Sequence, residues 1–106
     1  MIKRIYIAGP MRGLDDNNYP AFNAAAERLR ADGWEVLNPV EIGAEFGTPY
    51  ELATNHDLLD SLMRKELELI GTCSHIYLLK GWEKSVGAVG ELGRAICCDC
   101  EIVLEP

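Results

Sequence analysis

The chain has 106 residues, 48% of them hydrophobic and 25% charged, and 10 Lys+Arg stand against 17 Asp+Glu for a formal net charge of −7. A chain of this length is expected to form one domain, spanning 1–106, whose core needs no metal or disulfide framework. No apolar run approaches the roughly 18 to 20 residues of a membrane span, and the scattered Lys and Arg argue against a nucleic-acid polymer as partner while leaving room for a small ligand with one phosphate.

The first predicted element runs from Ile2 to Ala8, rich in β-branched and aromatic residues and stopped by Gly9-Pro10, as a central strand would be. That early break does not read as a signal peptide, so a cytoplasmic protein is expected. A turn-rich segment from Gly9 to Asn18 follows. Pro20 suits the first turn of a helix whose Phe22, Ala25, Ala26 and Leu29 recur at helical spacing, and Gly33 suits its stop. Trp34 to Leu37 reads as a short strand closed by Asn38-Pro39. Val40 to Asn55, interrupted by Gly43, Gly47 and Pro49, is the least readable stretch. A second helix is predicted from His56 to Ile70, a third strand from His75 to Leu79, a third helix from Ser85 to Cys98 and a last strand from Glu101 to Leu104.

Strands alternating with helices imply a parallel α/β sheet with right-handed crossovers. The expected fold is flavodoxin-like (Rossmann-like), with three layers and four to five parallel strands. Ligands in such sheets bind beyond the carboxyl ends of the strands, which selects Gly9 to Gly13, Asn38 to Glu41, and Gly81 to Gly87.

Two carboxylates break local rules. At about 100° per residue, Glu66 falls inside the apolar arc set by Leu58, Leu62, Leu69, Leu59 and Ile70. It therefore faces the sheet or a cavity over it, or pairs with an Arg or Lys, or snorkels at the helix end. In the third helix, Ser85 is a good N-cap, and the free N–H groups behind it form an anion site. Gly87 and Glu91 share one face, so a ligand can approach the backbone at Gly87 while Glu91 leans back toward it, although the same spacing fits an ordinary capped helix with a solvated glutamate. In the first loop, Gly9 and Gly13 bracket Pro10, Met11 and Arg12, which suits contacts to a phosphate as well as a bare turn. Tyr6 lies near the end of the first strand, where its hydroxyl can reach a carboxylate. Trp82 suits packing, an interface or base stacking. The cysteines (Cys73, Cys97, Cys98, Cys100) lack paired C-x2-C spacing and His56 and His75 lie at unrelated offsets, so reduced thiols and no metal site are expected.

Taken together, Ile5-Tyr6-Ile7-Ala8-Gly9-Pro10-Met11-Arg12-Gly13, the helix carrying Glu66, and Ser85-Val86-Gly87 through Glu91-Leu92-Gly93-Arg94-Ala95 resemble the nucleoside 2-deoxyribosyltransferase superfamily. The glycine-Arg loop and the Ser-x-Gly-x-x-x-Glu segment are closest to the 2'-deoxynucleoside 5'-monophosphate N-glycosidases, and Gly81-Trp82-Glu83-x-Ser85 with Asn38-Pro39 resembles a small phage and bacterial branch. The resemblance implies N-glycosidic cleavage or transfer on deoxynucleosides or their 5'-monophosphates, with Glu91 as nucleophile and Glu66 and Tyr6 assisting. It also implies a substrate and phosphate site drawn from Gly9, Pro10, Met11, Arg12, Gly13, Asn38, Gly81, Trp82, Ser85 and Gly87, with no cofactor. Two departures stand out. Glu66 replaces the usual Asp, which motivates an alternative as a non-catalytic nucleotide sensor, and Ser85 replaces the transferases' Asp, which favours a 5'-phosphorylated ligand. The superfamily's habit of completing its pocket from a neighbouring subunit leads us to expect a homodimer or higher homo-oligomer.

Overall fold

A computed structural model describes residues 3–106. The strands are β1 (Arg4–Ala8), β2 (Glu35–Leu37), β3 (His75–Leu78) and β4 (Glu101–Leu104), and the helices are α1 (Tyr19–Ala31), α2 (Pro39–Ala44), α3 (Pro49–Thr54), α4 (His56–Ile70) and α5 (Val86–Cys97). The sheet is four-stranded and wholly parallel, in the order β2-β1-β3-β4. The expected α/β, flavodoxin-like layering is therefore the one observed. Ile2, expected to open the first strand, lies outside the described residues.

Central position explains the composition of β1. Ile5, Tyr6, Ile7 and Ala8 are all fully buried, because a parallel strand covered on both faces has no solvent side to make polar. Alternation along the strand then sorts the core into two layers. Ile5 and Ile7 point with Tyr77 and Leu79 toward Phe22, Ala25, Ala26 and Leu29 of α1. Tyr6 and Ala8 point with Ile76 and Leu78 toward α4 and α5 through Leu62, Ile70, Ala88 and Ala95. The single polar side chain in that inward set is Tyr6, and the strand register alone delivers it to the α4/α5 side.

The stretch 40–55, unreadable in the sequence, contains α3 and all of α2 but its first residue. Both begin on local signals. The side chain of Asn38 accepts from Val40 N–H ahead of Pro39, and Thr48 with Glu51 forms a reciprocal capping box ahead of Pro49. Gly43 sits buried inside α2, where a Cβ would make ordinary contacts with Leu52 and Leu62 at 3.5 and 3.6 Å, which places α2 directly against α3 and α4. Helices of six residues have little stability of their own; these depend on caps and on that packing.

Candidate active site

Three elements converge at one oxygen atom. The Tyr6 hydroxyl, carried in by β1, lies 3.0 Å from Oε2 of Glu66 on α4 and 2.5 Å from Oε2 of Glu91 on α5. The two carboxylate oxygens are thus at most 5.5 Å apart, the sum of the two distances. Neither glutamate joins an ion pair among the described residues, so the tyrosine, not an Arg or Lys, is what holds Glu66 in the apolar arc.

A phenol has one proton to give, and two ionised carboxylates would compete for it. The arrangement is satisfied when one carboxyl carries a proton and donates it to the Tyr6 oxygen while Tyr6 donates to the other. Burial and charge act in the same direction. Desolvation raises Glu66 to about 7, with the Tyr6 hydrogen bond pulling the other way. Desolvation followed by repulsion from Glu66 raises Glu91 to about 8, again against Tyr6. The phenol, fully buried beside two acids, is pushed well above its ordinary value. Carboxyl groups that trade a proton near neutrality are suited to acid, base and nucleophilic chemistry.

The profile of a domain of unknown function, DUF4406, matches residues 3–104. The chain belongs to this family. No curated protein matches it. Among solved structures it is similar to a 2-desoxiribosyltransferase from Leishmania mexicana, with a TM-score of 0.68 at 23% sequence identity over 96% of this chain and 63% of that one. The likeness is one of fold, and this DUF4406 chain spans less than two thirds of that enzyme's length.

Around the three-residue cluster the DUF4406 domain arranges its loops at the carboxyl end of the sheet. Gly9 ends β1 against β3's extension: a Cβ there would stand 2.7 Å from Cβ of Leu79. Pro10 lies over Gly81, whose φ of +88° opens a 3-10 turn over Trp82–Lys84. The first and third loops are therefore neighbours. Asn18, one of three successive Asp/Asn residues in the left-handed region, donates from Nδ2 to the Pro10 carbonyl at 2.9 Å and pins the first loop. Met11 packs on the α1 side of the core, whereas Arg12 and Gly13 are exposed and Arg12 makes no ion pair among the described residues.

Ser85 caps α5 by accepting from Ala88 N–H at 3.1 Å. At Gly87 a Cβ would meet only Ser85 Oγ, 3.9 Å away, so the helix backbone is open from outside. Trp82 is half-buried at the edge of the α4/α5 core and borders a 240 Å³ hollow over the ends of β3 and β4. Asn38 is placed differently from the expected ligand contact. It is 1% exposed, its oxygen caps α2, and its amide donates to Asn23 Oδ1 at 3.0 Å. Burial and these bonds give it a structural task at the end of β2. Two contributors escaped the sequence reading: Asn18, and Arg94, whose Nε donates to the Leu67 carbonyl at 3.0 Å. Asn18 had a readable signal in the Asp-Asp-Asn-Asn turn; Arg94 had none, because a contact between helices leaves no periodic trace.

No helix among the described residues is long and apolar enough to cross a membrane.

Proposed function

We propose that this protein breaks the N-glycosidic bond of 2'-deoxynucleosides or their 5'-monophosphates through a glutamate nucleophile, passing the sugar to water or to a second base. The observation that carries the reading is the convergence of Glu66 and Glu91 on the buried hydroxyl of Tyr6, with neither acid in an ion pair among the described residues. A separation of at most 5.5 Å between the two oxygens lies below the roughly 6.5 to 9.5 Å of enzymes that invert in a single step, which favours a route through a covalent glycosyl intermediate.

The chemistry follows from the proton inventory. Tyr6 touches both acids, so a proton leaving Glu91 for the tyrosine oxygen is matched by the tyrosine proton moving to Glu66. The result is an ionised Glu91 and a protonated Glu66, with no net charge moved into the site. A Glu91 oxygen then bonds to C1' as the C1'–N bond breaks; the electron pair leaves on the base, and the base takes the proton from Glu66. Water, or a second base, attacks C1' of the sugar ester, gives its proton to Glu66 and releases Glu91. Arg12, the backbone of Gly9, Pro10, Met11 and Gly13, and the open start of α5 at Ser85 and Gly87 receive the 5'-phosphate; Gly81 and Trp82 border the base. Ser85 in place of a carboxylate removes a charge that would repel phosphate. No cofactor enters this scheme.

Incubation with the four deoxynucleoside 5'-monophosphates, with chromatography for free base, tests the reading. Release is expected from the wild type and not from Glu91→Gln; no release from any of them, or full activity in Glu91→Gln, overturns it. A second reading, a nucleotide sensor, is favoured by Glu66 where the related enzymes carry Asp, since an added methylene displaces the acid. Tight calorimetric binding without turnover would select it. The exposed Val86, Val89 and Ile96 of α5 and Ile102 and Leu104 of β4 support the expected association with a second copy, which light scattering reads directly.

A further inference from the structure

We propose that Arg94 is a positioning residue, a brace from α5 to the end of α4 that sets the spacing of Glu66 and Glu91 from outside the site. The inference rests on the functional reading above. Glu66 and Glu91 stand on different helices, and within the site only the tyrosine hydroxyl relates them. Arg94 follows Glu91 by three residues, close to one helical turn, and its Nε donates to the carbonyl of Leu67, the residue next to Glu66. The bond thus joins the two helices within one turn of both acids.

Several observations single this bond out. In a regular helix the Leu67 carbonyl would accept from Gly71 N–H, but that N–H goes to Glu68 at 3.1 Å and the guanidinium takes Leu67. The last turn of α4 contains no basic residue, so the cation that favours a helix carboxyl end comes from α5. Gly71 adds a separate line. Its φ of −61° and ψ of −15° suit any residue, so conformation does not call for glycine. A Cβ there would lie 2.9 Å from Arg94 Nη2 and 3.2 Å from the Glu68 carbonyl. A side chain at 71 would therefore make the exposed end of Arg94 shift from its seat. Arg94 makes no ion pair with either acid among the described residues. Arg94 acts through distance, and about 1 Å of misplacement can cost on the order of a hundredfold in rate.

Two variants test the brace by different routes. Arg94→Met keeps the stem and removes the donor; Gly71→Ala keeps the arginine and displaces it. In the ligand-free protein with ¹³C-labelled glutamate, both are expected to lower the apparent pKa values of the Glu66/Glu91 pair by about one unit as the acids part and water enters. In base release, both are expected to lower kcat by about tenfold or more with KM little changed. The double variant adds nothing to either single one, and Arg94→Lys restores part of the loss. Unmoved titrations with melting temperatures intact, or additive effects of the two substitutions, overturn the brace. If the wild type releases no base, the functional reading fails while the titration still decides the brace; if it is active and the titrations stay put, the brace alone fails.

Discussion

Replacing Glu91 by glutamine is expected to stabilise the fold above neutral pH and to leave it nearly unchanged in acid. The carboxyl is held by burial and by repulsion from Glu66 at about 8 instead of the ordinary 4.5. Because the folded value is raised, the stability tied to the protonated form is complete below the unfolded value and is lost as pH climbs through the folded one. Below about pH 4.5 both states hold the proton, and glutamine imitates the neutral acid. Between that point and about pH 8 the unfolded chain ionises while the folded one does not, so the wild type loses ground at up to about 1.4 kcal/mol per pH unit. Since part of the shift comes from Glu66, which relaxes in the variant, we take on the order of 3 kcal/mol as the expected gain at pH 9. For a domain of this size that corresponds to a rise of more than about 10 °C in Tm. Thermal melts of both proteins at pH 5 and pH 9 measure it. A Tm difference that is the same at the two pH values, or a variant less stable at pH 9, would refute the claim that the half-buried Glu91 is protonated in the free protein.

Further expectations follow from neighbouring contacts. Tyr6→Phe removes the one hydroxyl shared by both acids and should lower base release by about a hundredfold, read by steady-state assay, with the fold retained. Gly9→Ala, facing Leu79 Cβ at 2.7 Å, should cost about 1 to 3 kcal/mol in urea unfolding, whereas Gly87→Ala, with 3.9 Å to spare, should unfold normally and lose affinity for a 5'-monophosphate in calorimetry. Asn38→Ala deprives α2 of its cap and should cost about 1 to 2 kcal/mol by the same unfolding measurement, with base release per folded molecule unchanged.

Much of the architecture was legible because it rests on periodicity. β1 reads as a strand from its unbroken apolar run, α4 and α5 from their spacing, and Glu66 stood out as a carboxylate inside an apolar arc. The acids could be named but not joined: only the register of β1 against β3, which turns Tyr6 toward α4 and α5, brings one hydroxyl to both. The helices α2 and α3 hid behind Gly43, Gly47 and Pro49, whose ordinary meaning is interruption. Their caps, Asn38-Pro39 and Thr48-Pro49-x-Glu51, were visible, but their stability comes from packing on α4, which local sequence does not record. The capping role of Asn38 was not legible, since a capping asparagine and a ligand-binding one look alike at the end of a strand. Arg94 lay inside a motif read for its glutamate, and its partner is a backbone carbonyl that any sequence would supply.

Attack of Glu91 on the sugar can be trapped by rapid acid quench of the protein during turnover of a deoxynucleoside 5'-monophosphate, followed by mass spectrometry of its peptides. A 2-deoxyribosyl 5-phosphate adduct is expected on the peptide carrying Glu91, absent in Glu91→Gln. Base release with no adduct on that peptide, and with Glu91→Gln still active, would contradict it.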